Sequence, residues 1–99
     1  MTNPVIDPEA GRWWAAQLEE AVGHWWVVVW ALQHQHFAAF YRGHWEEGGV
    51  YRTSKTPAEL WSLMREVQHE GRLRAMAARA PVPPLLVEQI PDVLRRADG

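Results

Sequence analysis

The spacing of apolar residues first indicates a helix near the start of the chain. Between residues 8 and 22 the apolar side chains recur at helical intervals, at Trp14, Leu18, Ala21 and Val22. This period predicts an amphipathic helix. Asp7 is a favourable N-cap and Pro8 a favourable first helical residue. Gly23 follows the last apolar position, where a glycine commonly ends a helix.

The next apolar segment, residues 24–32, has the composition of a strand. Three consecutive valines flanked by tryptophans favour a pleated backbone over a helix. Alternation places Trp26, Val28 and Trp30 on one face and Trp25, Val27 and Val29 on the other. Both faces are therefore apolar. We expect either that both faces of the sheet are covered or that one carries an exposed apolar patch.

Two more strands are predicted after this segment. Residues 33–35 are polar and predict a turn, and residues 37–42 then form the second strand. A loop over residues 43–49 precedes a short third strand over residues 50–53. The alternative is one continuous helix over residues 25–42, because a short apolar run is ambiguous between strand and helix.

A second helix has the clearest start signal in the chain. Thr56 is its predicted N-cap, Pro57 its first residue, and Glu59 completes a capping box. The apolar stripe that follows consists of Leu60, Leu63, Met64 and Val67. Beyond Gly71 the apolar positions 73, 76, 77 and 80 fall out of phase with that stripe. We therefore expect the helix either to bend near Gly71 or to end there and begin again.

These elements predict a small α+β fold in the order α-β-β-β-α, with a three-stranded antiparallel meander; the alternative is a mainly α fold. Residues 1–80 form the predicted single domain, with a loose arm over residues 1–6, and residues 81–99 form a Pro-rich C-terminal arm. The arm is too apolar to stay free in solution, and we expect it to dock on this chain or on a second copy. Its apolar residues are Leu85, Leu86, Ile90 and Leu94.

Composition excludes several functional classes. The 99 residues include no cysteine, so disulfides, thiolate metal sites and a cysteine nucleophile are absent. The net charge of −2 lacks the basic surplus usual in nucleic-acid binders. The longest apolar run, residues 25–32, is far shorter than the roughly 20 residues of a membrane-spanning helix. With no signal-peptide pattern at the start, we expect a soluble cytoplasmic protein without a membrane association, and nine Arg against one Lys indicate a GC-rich bacterial genome.

Candidate catalytic and metal-binding groups are few. Serine occurs only at positions 54 and 62, and no nucleophile, phosphate-loop or metalloprotease motif is present. We therefore predict neither enzymatic activity nor a cofactor. His34, His36 and His44 are an alternative metal or small-ligand site, because two residues of a strand spaced two apart share a face and imidazoles are common zinc ligands.

The predicted α-β-β-β-α order resembles that of the double-stranded-RNA-binding domain. That family carries basic residues before its last helix, at a place that corresponds to residues 49–56 here. The family's Lys-Lys-x-Ala-Lys helix start is replaced by residues 55–59, Lys-Thr-Pro-Ala-Glu, so one lysine remains and an acid enters. The resemblance implies nucleic-acid binding as an alternative function, through Arg42, Arg52 and Lys55 near one edge of the sheet.

Seven tryptophans in 99 residues are the strongest anomaly of the sequence. A domain of this size has one core, and tryptophan is rarely buried completely. We therefore expect some of the seven to lie at an interface, where Trp and Tyr are enriched. The predicted patch is Trp26 and Trp30, with Phe40 beside them if the strands pair. The predicted function is a non-enzymatic protein-interaction module, a regulator or adaptor that forms a homodimer or binds another protein.

Overall fold

The structure, a computed structural model, describes residues 8–31, 34–45, 48–87 and 90. Helix α1 spans Pro8–Val22 and leads through a 3-10 turn, Gly23–Trp25, into the sheet. The strands are β1 (Trp26–Ala31), β2 (His36–Tyr41) and β3 (Tyr51–Ser54), and helix α2 spans Pro57–Ala78. The α+β class and the α-β-β-β-α order are confirmed, and the alternative of one helix over residues 25–42 is wrong.

The sheet is an antiparallel meander in the order β1-β2-β3. Trp26 pairs with Tyr41 and Trp30 with Phe37, while Phe40 pairs with both Val27 and Tyr51. Residues that pair directly point to the same face of a sheet. This register therefore divides the strands into a core-facing set, which includes Trp26, Phe37 and Tyr41, and an outward-facing set.

Helix α2 begins and continues as one element. Thr56 is in extended conformation and its Oγ1 accepts a hydrogen bond from the Glu59 amide at 3.2 Å, as the capping motif predicts. The alternative that the helix ends at Gly71 and begins again is wrong, because α2 runs without a break to Ala78. Gly71 instead makes room for the sheet: a Cβ at this position would lie 2.4 Å from the phenol oxygen of Tyr41.

The core lies between one face of the sheet and the two helices, and it absorbs most of the aromatic residues. Trp26 and Trp61 are buried, and four further tryptophans, Trp14, Trp25, Trp30 and Trp45, are partly buried against the core. Trp13 remains 40% exposed, as the expectation that one core cannot take up all seven tryptophans predicts, but the other six are accommodated at least in part. One reason is Gly11, whose position in α1 lets the indole of Trp30 lie directly against the helix backbone, where a Cβ would be 2.5 Å from the ring.

The chain reverses direction after α2 and returns along it. Arg79 adopts a left-handed conformation, with φ 55° and ψ 36°, and ends the helix. Residues 81–87, which we call the strap, have no helix or strand conformation and lie against α2. The described part of the predicted C-terminal arm therefore docks on this chain.

Candidate interaction surface

The face of the sheet that points away from the helices is apolar and uncovered by the described residues. Its outward-facing strand residues are Val27, Val29, Ala31, His36, Ala38, Phe40, Tyr51 and Thr53. None of them is an acid, a lysine or an arginine. We call this surface the open face.

Four large side chains give the open face its exposed apolar area. Val27 is 36% exposed, Val29 42%, Phe40 44% and Tyr51 60%. The rings of Phe40 and Tyr51 stack across the β2-β3 pair with their centroids 5.5 Å apart. The exposed parts of these two rings alone amount to roughly 200 Å², because an aromatic side chain offers about 150–250 Å². Contiguous apolar patches of a few hundred Å² often mark interaction sites.

The edges of the sheet are less suited to a partner strand than its face. Along β1, the backbone amide of Val28 donates a hydrogen bond to the Glu19 carboxylate at 2.9 Å, so α1 occupies a group that a partner strand would need. At the other edge β3 has only four residues. Short strands and charged groups are the usual means of protecting sheet edges against edge-to-edge pairing. The arrangement therefore leaves the face as the accessible surface of the sheet.

The structure divides the predicted aromatic patch of Trp26, Trp30 and Phe40. Trp26 is 1% exposed, and its indole nitrogen donates to the buried side chain of Gln68. Trp30 packs on Phe37 with a centroid distance of 4.7 Å, on the same core-facing side. Phe40 lies on the opposite side, because it pairs with Val27 rather than with a core-facing residue of β1. The prediction that the three share one exposed patch is wrong.

The open face contains residues that the sequence interpretation did not select. The alternation of β1 predicts Val27 and Val29 on the face of Trp25, opposite Trp26 and Trp30, and the sequence places Tyr51 only in a strand. The missing information was the register: without it, Phe40 could not be matched to a face of β1. The available signal was the alternation of β2, which already separates Phe40 from Phe37 and Tyr41.

The predicted interface residues of the C-terminal arm take different environments. Leu86 and Ile90 are partly buried against the core of their own chain. Leu85 is 67% exposed. Leu94 lies outside the described residues, as do residues 1–6.

The three histidines of the predicted metal site do not form a ligand set. His34 and His36 stack at the β1-β2 turn with ring centroids 5.4 Å apart. His44 lies in the segment after β2, at the opposite end of the sheet, where it lines a cleft with His24 and Trp25. Within the described ranges no group of three or more His, Cys, Asp or Glu side chains could hold a metal ion. The predicted convergence is therefore wrong for the described histidines.

The three basic residues of the nucleic-acid alternative are also spread apart. Arg42 follows β2 at the end of the sheet where β1 begins, and its amide donates to the carbonyl oxygen of Trp25 at 2.8 Å. Lys55 follows β3 at the other end, since β3 runs antiparallel to β2. Arg52 pairs with Ala39 and therefore points to the helix side of the sheet. The three do not form one positively charged surface.

No helix in the described parts of the chain is long and apolar enough to cross a membrane. Comparison with known proteins gives no further guide to function: no protein family, no curated protein and no solved structure matches this chain.

Proposed function

We propose that the protein is a non-enzymatic interaction module that forms a homodimer through the open face, and that it acts as a regulator or adaptor. The observation that carries the proposal is the uncharged apolar row formed across the three strands by Val27, Phe40 and Tyr51. Burying this surface is favourable at roughly 25 cal/mol per Å², although part of that gain is lost to the entropy of association.

The chemistry of the open face favours a second copy as its partner. A two-fold dimer places the same surface against itself, so any charge on it meets a like charge near the symmetry axis. The outward residues of the strands carry no acid, lysine or arginine, and this cost is therefore avoided. Tyr51, Thr53 and His36 add polar groups that can form hydrogen bonds across the contact. A patch of this size is small for a specific interface, so we expect micromolar association.

The proposal is tested by measuring the solution mass of matched variants. Phe40→Asp introduces a charge at the centre of the open face, whereas Trp13→Asp introduces one at a side chain of similar exposure, 40%, on α1. Sedimentation equilibrium should show concentration-dependent self-association for the native chain and for Trp13→Asp. It should show at least a tenfold higher dissociation constant for Phe40→Asp, since an unpaired charge buried in an apolar contact costs more than 1.4 kcal/mol.

Two results would contradict the proposal. A native chain that stays monomeric at high micromolar concentration would show that the proposed homodimer does not form. Equal dissociation constants for the native chain and Phe40→Asp would place the dimer contact elsewhere on the molecule.

A further inference from the structure

The strap is held to α2 through its main chain. Trp61 Nε1 donates to the Val87 carbonyl at 3.0 Å, the Gln68 amide donates to the carbonyl of Pro84, and the Arg72 guanidinium donates to that of Pro83. Gln68 follows Trp61 by seven residues and Arg72 follows Gln68 by four, so the three donors lie on one face of the helix. We call this face the strap groove. The strap runs antiparallel to α2, and Pro83 is completely buried in the groove.

The hinge between α2 and the strap is strained. Arg79 has a φ of 55°, in the left-handed region where a side chain with a Cβ is disfavoured. This conformation turns the chain back onto its own helix, and the Ala80 amide closes the turn on the Ala75 carbonyl at 2.8 Å. A strap that crossed to another molecule would not need this turn. Short strained hinges are a known route to exchange of segments between identical chains.

The carboxyl-terminal half of α2 carries an apolar stripe that the described residues leave exposed. Leu73 is 52% exposed and Met76 60%, and Ala77 extends the same side of the helix. Val82, at the start of the strap, is 41% exposed. This stripe lies beside the hinge and apart from the open face, which is on the other side of the sheet. A second copy that packed on it would bring two hinges together.

We propose that two copies of the chain exchange their straps, so that residues 81–87 of each occupy the strap groove of the other. Every hydrogen bond and every apolar contact of the docked strap is kept in the exchanged pair, since the groove and the strap are identical in both copies. The exchange removes the left-handed hinge conformation from both chains and covers the stripe of Leu73 and Met76. Two copies then hold each other by a contact that is independent of the open face.

A complementation experiment tests the exchange, with all chains carrying Phe40→Asp so that the open face does not contribute. One chain has a deficient groove, Trp61→Phe with Arg72→Ala, which removes two donors. The other has a deficient strap, Pro83→Asp with Leu86→Asp. Native mass spectrometry should find each chain monomeric alone and a 1:1 heterodimer in the mixture, because only the mixture pairs an intact strap with an intact groove. A mixture that remains monomeric, with both chains folded by near-ultraviolet circular dichroism, would overturn the proposal.

Two substitutions of the hinge residue Arg79 test strap exchange if either chain in the mixture fails to fold. Arg79→Gly relieves the left-handed strain, whereas Arg79→Ala removes the same charge and keeps the Cβ. In the Phe40→Asp background we expect Arg79→Ala to dimerise like its parent. Arg79→Gly should raise the dissociation constant at least about tenfold, because the relief favours the closed chain at two hinges per dimer. Equal constants for the two variants, or a parent without any dimer at high micromolar concentration, would refute strap exchange.

Discussion

The indole nitrogen of Trp26 donates a hydrogen bond to the side-chain oxygen of Gln68 at 2.5 Å. Through the same amide, Gln68 donates to the carbonyl of Pro84, and its side chain is only 1% exposed. One buried residue of α2 therefore connects the first strand, the second helix and the strap.

Replacing Gln68 should cost more stability than its two hydrogen bonds suggest. Gln68→Met keeps the length of the side chain but leaves the buried Trp26 N–H without its acceptor. It also removes the donor that binds the Pro84 carbonyl. The unsatisfied buried N–H costs about 1–3 kcal/mol and the lost hydrogen bond to the exposed Pro84 about 0.5–1.5 kcal/mol, so we expect a loss of about 2–4 kcal/mol in the free energy of unfolding. Urea denaturation measures this loss, with Gln17→Met at a partly exposed position of α1 as the control. A loss no larger than that of the control would show that the bridge does not stabilise the fold.

A substitution in α2 separates helix propensity from packing. Propensity alone predicts that Gly71→Ala stabilises the helix by about 1 kcal/mol. The structure predicts the opposite sign, because the new Cβ would lie 2.4 Å from the Tyr41 phenol oxygen. Overpacking of this kind typically costs about 1–3 kcal/mol. Thermal unfolding of Gly71→Ala, with and without Tyr41→Phe, should show a destabilised single variant and a partial recovery in the double variant. A stabilised single variant would contradict the observed packing.

The buried phenol of Tyr41 predicts a loss of stability at alkaline pH. Its hydroxyl has no hydrogen-bond partner among the described residues. Burial raises the pKa of the Tyr41 phenol above its ordinary value, and the nearby charge of Arg72 opposes the rise in part. The folded state therefore holds this proton more tightly than the unfolded chain. Its contribution to stability is complete below about pH 10 and is lost as the pH rises through the raised pKa.

Tyr41→Phe should remove this alkaline decline and leave the fold as stable at neutral pH or more stable, since the lost hydroxyl has no hydrogen-bond partner in the described parts of the chain. Tyr51→Phe, at an exposed phenol, is the matched control. Denaturation midpoints measured from pH 7 to pH 11 make the comparison. An unchanged decline in Tyr41→Phe would assign the alkaline loss to other groups.

The strands and caps of this fold could be predicted from local patterns, but the assignment of faces could not. Three valines between tryptophans specify β1, and Thr56 with Pro57 specifies the start of α2, because these preferences act within a few residues. Which side of β2 faces the tryptophans depends on the register of the β1-β2 turn. That register is set by the whole turn and sheet, and so the prediction that Phe40 lies beside Trp26 is wrong.

The glycines show a second limit of local reasoning. Gly71 indicates a break in a helix when only its neighbours in sequence are considered. Its role is long-range, because together with Gly43 it leaves space for the phenol of Tyr41. Gly11 does the same for Trp30. The capacity of the core for tryptophan depends on such close approaches between helix backbone and aromatic ring, which no residue count reveals.

The most direct test of the proposed homodimer is an isotope-filtered NMR measurement on a mixture of ¹³C-labelled and unlabelled native chains. Nuclear Overhauser effects that pass only between different molecules identify the residues in contact. We predict cross-peaks from the methyl groups of Val27 and Val29 in one chain to the rings of Phe40 and Tyr51 in the other. Samples at high micromolar concentration that show no intermolecular cross-peaks at these four residues would contradict the assignment of the open face as the dimer contact.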